Sequence, residues 1–267
     1  MSVTGSNQGQ WLTIRVGRNT LSFSMPDAEG QVMFEPYVVK SGVSMAANLR
    51  EAFKTAELLL QAPPRVRVLI DSPVLMVPVE HFDEDAMETM HHQAFPRHEQ
   101  DAVFYNVLPE LNAVAVFSMN KDLKLVIDDH FPTVKLIAAI SPVWRHLHQR
   151  SYTGTRHKLY GYFHEKRLEV FGFQQNRFKF CNSFEAAHAH DSLYFLLYVW
   201  KQLQLAPQYD ELHVVGDVPE ADWLIGELRK YLQKAYLINP VADFNRAQVT
   251  GIKGMPYDLQ TLFVKGR

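Results

Sequence analysis

The chain has 267 residues, with 27 Lys plus Arg against 29 Asp plus Glu and a formal net charge of −2. Hydrophobic residues make up 47% and charged residues 21%, an ordinary globular composition that excludes disorder as the main state. The near-neutral balance gives no electrostatic reason to expect nucleic acid or an anionic membrane as the main partner, and the length suits one large domain or two modest ones.

Residues 1–10 are polar, read as a flexible lead, and lack the apolar core of a signal peptide. Trp11 to Val16 alternates in the strand manner, Gly17-Arg18-Asn19 turns, and Thr20 to Met25 and Val32 to Val39 follow as strands in a hairpin-linked sheet. Ser44 suits a helix N-cap, and Met45, Leu49, Ala52, Phe53, Ala56, Leu59 and Leu60 recur at helical spacing up to Pro63-Pro64. Val66 to Ile70 returns as a strand, and Leu75 to Val79 reads as another. A second helix is expected from Asp83, where acidic residues suit the positive end of the helix dipole. Val103 to Val107 and Ala113 to Phe117 read as a strand pair, Asn120 as the cap of a helix through Phe131, Val134 to Ile140 as a strand, and Val143 to Arg150 as one or two helical turns.

Ser151 to His157 is the best linker, being small, polar and glycine-bearing. After it the first pattern recurs. Strands at Leu159 to Phe163, Leu168 to Phe173 and Arg177 to Cys181 are linked by turns at His164-Glu165-Lys166 and Gln175-Asn176. A helix from Phe184 to Leu203, a strand at Glu211 to Val215, a helix after Pro219, a strand at Ala235 to Ile238 and a last strand at Leu259 to Val264 complete the reading. The run Leu193 to Trp200 is apolar nearly all round and is expected to be buried; at eight residues it is far short of the roughly 20 a bilayer needs. Cys181 is the single cysteine, so no intrachain disulfide exists, and the expected location is cytoplasmic with no membrane span.

Strand, strand, strand, helix, strand thus occurs twice. Two copies of this order resemble the actin-like ATPase architecture of the ribonuclease H-like group, with an α+β fold of two α/β-type lobes at about 1–150 and 151–267. The chain also looks like a small bacterial family with this fold and uncharacterised function, and pilus-assembly actin-like proteins are a more distant comparison. The resemblance implies ATP in a cleft between lobes, its phosphates held by hairpin turns. Position by position, those turns are eroded. Gly17 is present after the first strand, but Val16 stands where the family has an aspartate, removing an anchor for a metal-bound water. The second turn, Tyr162 to Arg167, has no glycine to bring backbone amides close to phosphate. The third, Val214 to Pro219, keeps Gly216 but follows it with Asp217, which repels phosphate.

The resemblance with eroded turns implies a non-catalytic scaffold or adaptor that binds a protein partner and takes no cofactor. The alternative is an actin-like ATPase that binds ATP with Mg through atypical turns, with Gly17, Asn19, Gly216 and Asp217 lining the cleft. A homo-oligomer is compatible with either. No Gly-x-x-x-x-Gly-Lys-Ser/Thr, Gly-x-Gly-x-x-Gly or Gly-x-Ser-x-Gly occurs. Asp71, after Ile70, is the one carboxylate placed for nuclease-type metal work, and a turn role with Ser72-Pro73 is the simpler expectation. The histidine groups His91/His92/His98 with Glu88, His146/His148 and His188/His190 lack ligand spacing and are expected at surfaces or caps. Lys158 to Lys179 interleaves aromatic and basic residues; a sheet with one buried aromatic face and one solvated basic face is expected ahead of a nucleic-acid platform.

Overall fold

Three antiparallel strands open the chain, β1 (Trp11–Val16), β2 (Leu21–Pro26) and β3 (Val32–Tyr37). They come from a computed structural model that describes residues 11–61, 65–151, 156–174 and 177–264. The lead, the Pro63-Pro64 stop, most of the 151–157 linker and the Gln175-Asn176 turn lie outside the described residues. Ser44 caps α1 (Met45–Thr55), its Oγ accepting from the Ala47 N–H at 3.2 Å. The helix stops at Thr55, short of the Leu60 end that its apolar spacing suggested. Glu35 on β3 is the reason. Its carboxylate accepts from the Glu57 and Leu58 N–H groups at 3.0 and 2.9 Å, the amides a further turn would need.

Next come β4 (Arg65–Ile70), β5 (Val74–Pro78), α2 (Met87–Ala94), β6 (Ala102–Leu108), β7 (Ala113–Met119), α3 (Lys121–His130), β8 (Val134–Ala138) and α4 (Ile140–Arg150). α2 begins at Met87 and not at Asp83, because the Asp83 carboxylate accepts from the Asp85 N–H at 3.0 Å and closes a separate turn. Asn120 caps α3 as expected, accepting from Asp122 and Leu123. The main sheet runs β3-β2-β1-β4-β8, with β4 parallel to β1 and β8 parallel to β4. α1 and α3 pack on each other, and Leu12, Ile14, Leu49, Val68, Val126 and Ile127 are fully buried. β5, β7 and β6 form a separate three-stranded sheet.

The second half contains β9 (Lys158–His164), β10 (Arg167–Gln174), β11 (Arg177–Glu185), α5 (Ala189–Gln202), β12 (Glu211–Gly216), α6 (Ala221–Tyr231), β13 (Ala235–Leu237), α7 (Pro240–Asp243) and α8 (Tyr257–Phe263). Its sheet order is β11-β10-β9-β12-β13. Phe184 and Glu185 are strand residues, paired with Leu168 and Arg167, so the helix begins later than expected. The expected strand over 259–264 is the helix α8. It follows Pro256 and buries Tyr257, Asp258 and Thr261, a helical spacing. α5 is not buried all round, since Tyr194 and Tyr198 are 62% and 46% exposed and stack on each other. β9 is buried throughout, so Lys158 to Lys179 has no solvated basic face there; Lys166 in the β9–β10 turn and Arg177 and Lys179 on the edge strand β11 are its exposed cations among the described residues.

Two compact units result. One comprises Met1–Val77, His81–Asn106 and Ala115–Ile140, the other Pro78–Glu80, Val107–Val114 and Ser141–Arg267. α4 beyond its first residue, Ile140, thus falls in the second unit. The registers show that the two sheets are one pattern used twice. Val16 faces Leu21 and Ile70; Phe163 faces Leu168 and Gly216. The units differ after the fourth strand of the pattern. Residues 71–120 intervene between β4 and α3, whereas residues 217–220 suffice between β12 and α6. Among the described residues no helix is long and apolar enough to cross a membrane.

Candidate functional site

The three turns that the resemblance singles out are built differently from one another. In the β1–β2 turn Gly17 is buried and Asn19 exposed. The Gly17 N–H donates to the Thr20 carbonyl at 2.8 Å, and Arg15 Nη1 donates to Thr20 Oγ1 at 2.9 Å. Gly17 does not adopt a positive φ. In the β9–β10 turn Glu165 and Lys166 do, at 45° and 63°. That is the two-residue hairpin conformation which usually falls to Gly or Asn, here carried by two long charged side chains.

Gly216 ends β12 with φ +94°, and a Cβ built on it would lie 2.1 Å from the Phe163 carbonyl oxygen. The glycine is there so that two parallel strands can close. The next amides are also engaged: the Asp217 N–H donates to Phe163 O and the Val218 N–H to Gly216 O, both at 2.9 Å. Gly216, Asp217, Glu165 and Lys166 therefore meet at one place in the second unit. Asp217, Glu165 and Lys166 border a recess of about 250 Å³ with Phe163, Ala187 and Pro219, and Gly216 is not part of its lining. Arg167 also lines it but is committed to the sheet, with Nη2 2.7 Å from Glu169 Oε1 and 3.2 Å from Ser183 Oγ. Gly17 and Asn19 belong to the other unit. Lys166 and Pro219 were not singled out as site residues; the two-residue hairpin spacing of 164–167 was the signal for the first.

Of the histidines expected at surfaces or caps, His91 and His148 are buried; His164 and His213, outside those groups, are buried too. His213 stacks on Tyr160 and tilts against Tyr236, and burial pushes its pKa down against the opposing pull of Glu211. His190 lies over Trp223 with ring centroids 4.3 Å apart. Among the described residues no group of three or more His, Cys, Asp or Glu is placed to hold a metal ion. Asp71 occupies the turn after β4, its N–H donating to Val16 O at 2.9 Å.

Comparison with known proteins agrees with this architecture. A solved Bacteroides thetaiotaomicron VPI-5482 protein, described as having an actin-like ATPase fold and unknown function, is 25% identical over 100% of both chains with a TM-score of 0.84. A PilM-PilN type IV pilus biogenesis complex is similar in fold alone, at 11% identity, over 95% of this chain and 96% of that one, with a TM-score of 0.56. No curated protein matches. The fold is that of the actin-like ATPases. Residues 3–235 match the family described as "Protein of unknown function (DUF3822)", and the chain belongs to that family.

Proposed function

We propose that this chain is a non-catalytic actin-fold scaffold that works by binding a protein partner. One observation carries the reading: backbone amides in the first and third phosphate turns, and at Asp71 beside the first, are already spent inside the protein. Gly17 N–H goes to Thr20 O, Asp71 N–H to Val16 O, Asp217 N–H to Phe163 O and Val218 N–H to Gly216 O. A phosphate held by backbone amides needs donors that point outward. With Val16 in place of a carboxylate, the metal side of the chemistry also lacks its usual anchor. An actin-fold chain in company with a second protein has a parallel in the PilM-PilN complex. The reading includes a reducing, cytoplasmic setting, which the single Cys181 suits.

The recess bordered by Asp217 and Lys166 favours the second reading, a nucleotide binder with atypical turns. Thermal melting with and without millimolar Mg-ATP separates the two. A ligand at 100 times its dissociation constant adds about 2.7 kcal/mol of stability. The scaffold reading expects no shift and no phosphate release. A clear upward shift sinks it. On the partner side, the reading expects one protein recovered with the tagged chain that re-forms a stoichiometric complex from purified components.

A further inference from the structure

The stretch 71–120 has no counterpart in the second unit, and it carries a histidine cluster that the scaffold reading does not use. α2, eight residues long, has no side-chain N-cap bond, and His91 is its one buried residue. A helix this short is unstable alone, so its place depends on what that ring does. The ring is fully buried. It lies against Phe95 at 5.0 Å between centroids and His92 at 6.0 Å. Both its nitrogens are buried without a hydrogen bond, and the Pro73 backbone is the polar group that interacts with the ring. His92 Nε2 is likewise buried without a hydrogen bond. His98, on the turn Pro96–His98, places Nδ1 2.7 Å from the Asp101 carboxylate, and Ser118 Oγ donates to the same oxygen at 3.3 Å.

The titratable groups facing His91 are therefore His92 on its own helix, His98 on the following turn and Asp101 on the approach to β6. The segment after β4 contributes the Pro73 backbone. Two imidazoles oppose a charge on the ring, and the one carboxylate is engaged by His98 and Ser118. We propose that the His91–His92–His98 cluster is an acid-sensitive latch that holds α2 against the Asp71–Pro73 segment and releases it when the His91 ring protonates, while the main sheet stays folded. Burial lowers the His91 pKa first, with His92 and His98 adding to it and the Pro73 backbone and Asp101 opposing. A buried ring of this kind must remain neutral to remain buried, so protonation and undocking are one event. The Asp71–Pro73 segment stays behind, because the Asp71 N–H is bonded to Val16 O at the end of β1.

Hydrogen exchange on the full chain between pH 7.5 and 5.5, corrected for intrinsic rates, tests this. In the wild type, protection of the Met87–Ala94 amides falls at least tenfold while that of β1 and β4 is kept. In His91→Leu the fall is abolished. In His98→Gln, which removes an opposing charge without emptying the core, it is reduced. Unchanged α2 protection in the wild type overturns the latch, as does an undiminished fall in His98→Gln. That second variant decides the matter should His91→Leu not fold.

Discussion

Asp71 and Asp217 hold the same place in the two units: each donates its backbone N–H at 2.9 Å to a carbonyl at the end of the unit's first strand, Val16 in one and Phe163 in the other. The residues before them are also equivalent, and they are not alike. Ile70 pairs with Val16 as an ordinary strand residue, whereas Gly216 pairs with Phe163 at φ +94°. Gly216→Ala puts a methyl group 2.1 Å from the Phe163 oxygen and a Cβ in the left-handed region. We expect a loss on the order of 2–3 kcal/mol in urea unfolding. A near-neutral result would show that the β12 end relaxes freely.

Much of the architecture was legible because its signals are local. Alternation over residues 11–16 and 159–163, the Ser44 and Asn120 caps, and the short turns at Gly17 and Glu165 each act within a few residues. What was not legible depends on distant partners. β11 extends to Glu185 because β10 offers Arg167 and Leu168 to pair with. The separate β5-β7-β6 sheet needs β5 to meet β7 across residues 79–112, a pairing that no periodicity announces. The Leu193 to Trp200 run looked uniformly apolar because Tyr194 and Tyr198 count as hydrophobic while presenting hydroxyl groups to water. Gly216 stood out in the sequence as a turn glycine, but the reason for it, the approach of Phe163, belongs to packing.

Glu35 makes a second prediction. Its two carboxylate oxygens hold the Glu57 and Leu58 amides and tie the end of α1 to β3. Glu35→Ala leaves both amides to water or to a frayed extra turn. A charge-assisted bond of this kind contributes about 1–3 kcal/mol. The expected outcome is a loss in that range, with faster hydrogen exchange at Leu58. A variant as stable as the wild type would mean that solvent replaces the carboxylate without cost.

Asn106 does for the outer edge of β8 what a neighbouring strand would do. Its Nδ2 donates to Leu136 O, and its Oδ1 accepts from the Ala138 N–H, both at 2.9 Å. One side-chain amide thus mimics a peptide group and fastens β6 to the main sheet of the first unit. Asn106→Asp keeps the acceptor but sets a charge against the Leu136 carbonyl, and so should cost more than Asn106→Ala, itself about 1–2 kcal/mol. The Ala138 amide should exchange faster in Asn106→Ala than in Asn106→Asp. The reverse order of stability would argue that the residue acts through packing alone.

The second unit has an acid-sensitive group of its own. His146 on α4 places Nε2 2.6 Å from Asp243 Oδ2, and Arg150 binds the other oxygen of that nearly buried carboxylate. A carboxylate so close would normally favour the imidazolium. Here Arg150 already balances its charge, so burial first, and the guanidinium second, push the His146 pKa down to about 4. The neutral ring donates its Nε2–H to Asp243. An ordinary histidine in the unfolded chain takes its proton near pH 6.5. Between that pH and about 4 the unfolded state binds a proton that the folded state refuses. The stability this pair contributes is therefore present above pH 6.5 and is lost as the pH falls toward 4. His146→Gln retains an N–H donor and removes the titration. Its urea midpoint should fall less steeply over that window than the wild type's, when unfolding is followed by the fluorescence of Trp144, two residues earlier on α4. Parallel curves for the two proteins would show that His146 titrates alike in the folded and unfolded states, and that burial does not hold its proton off.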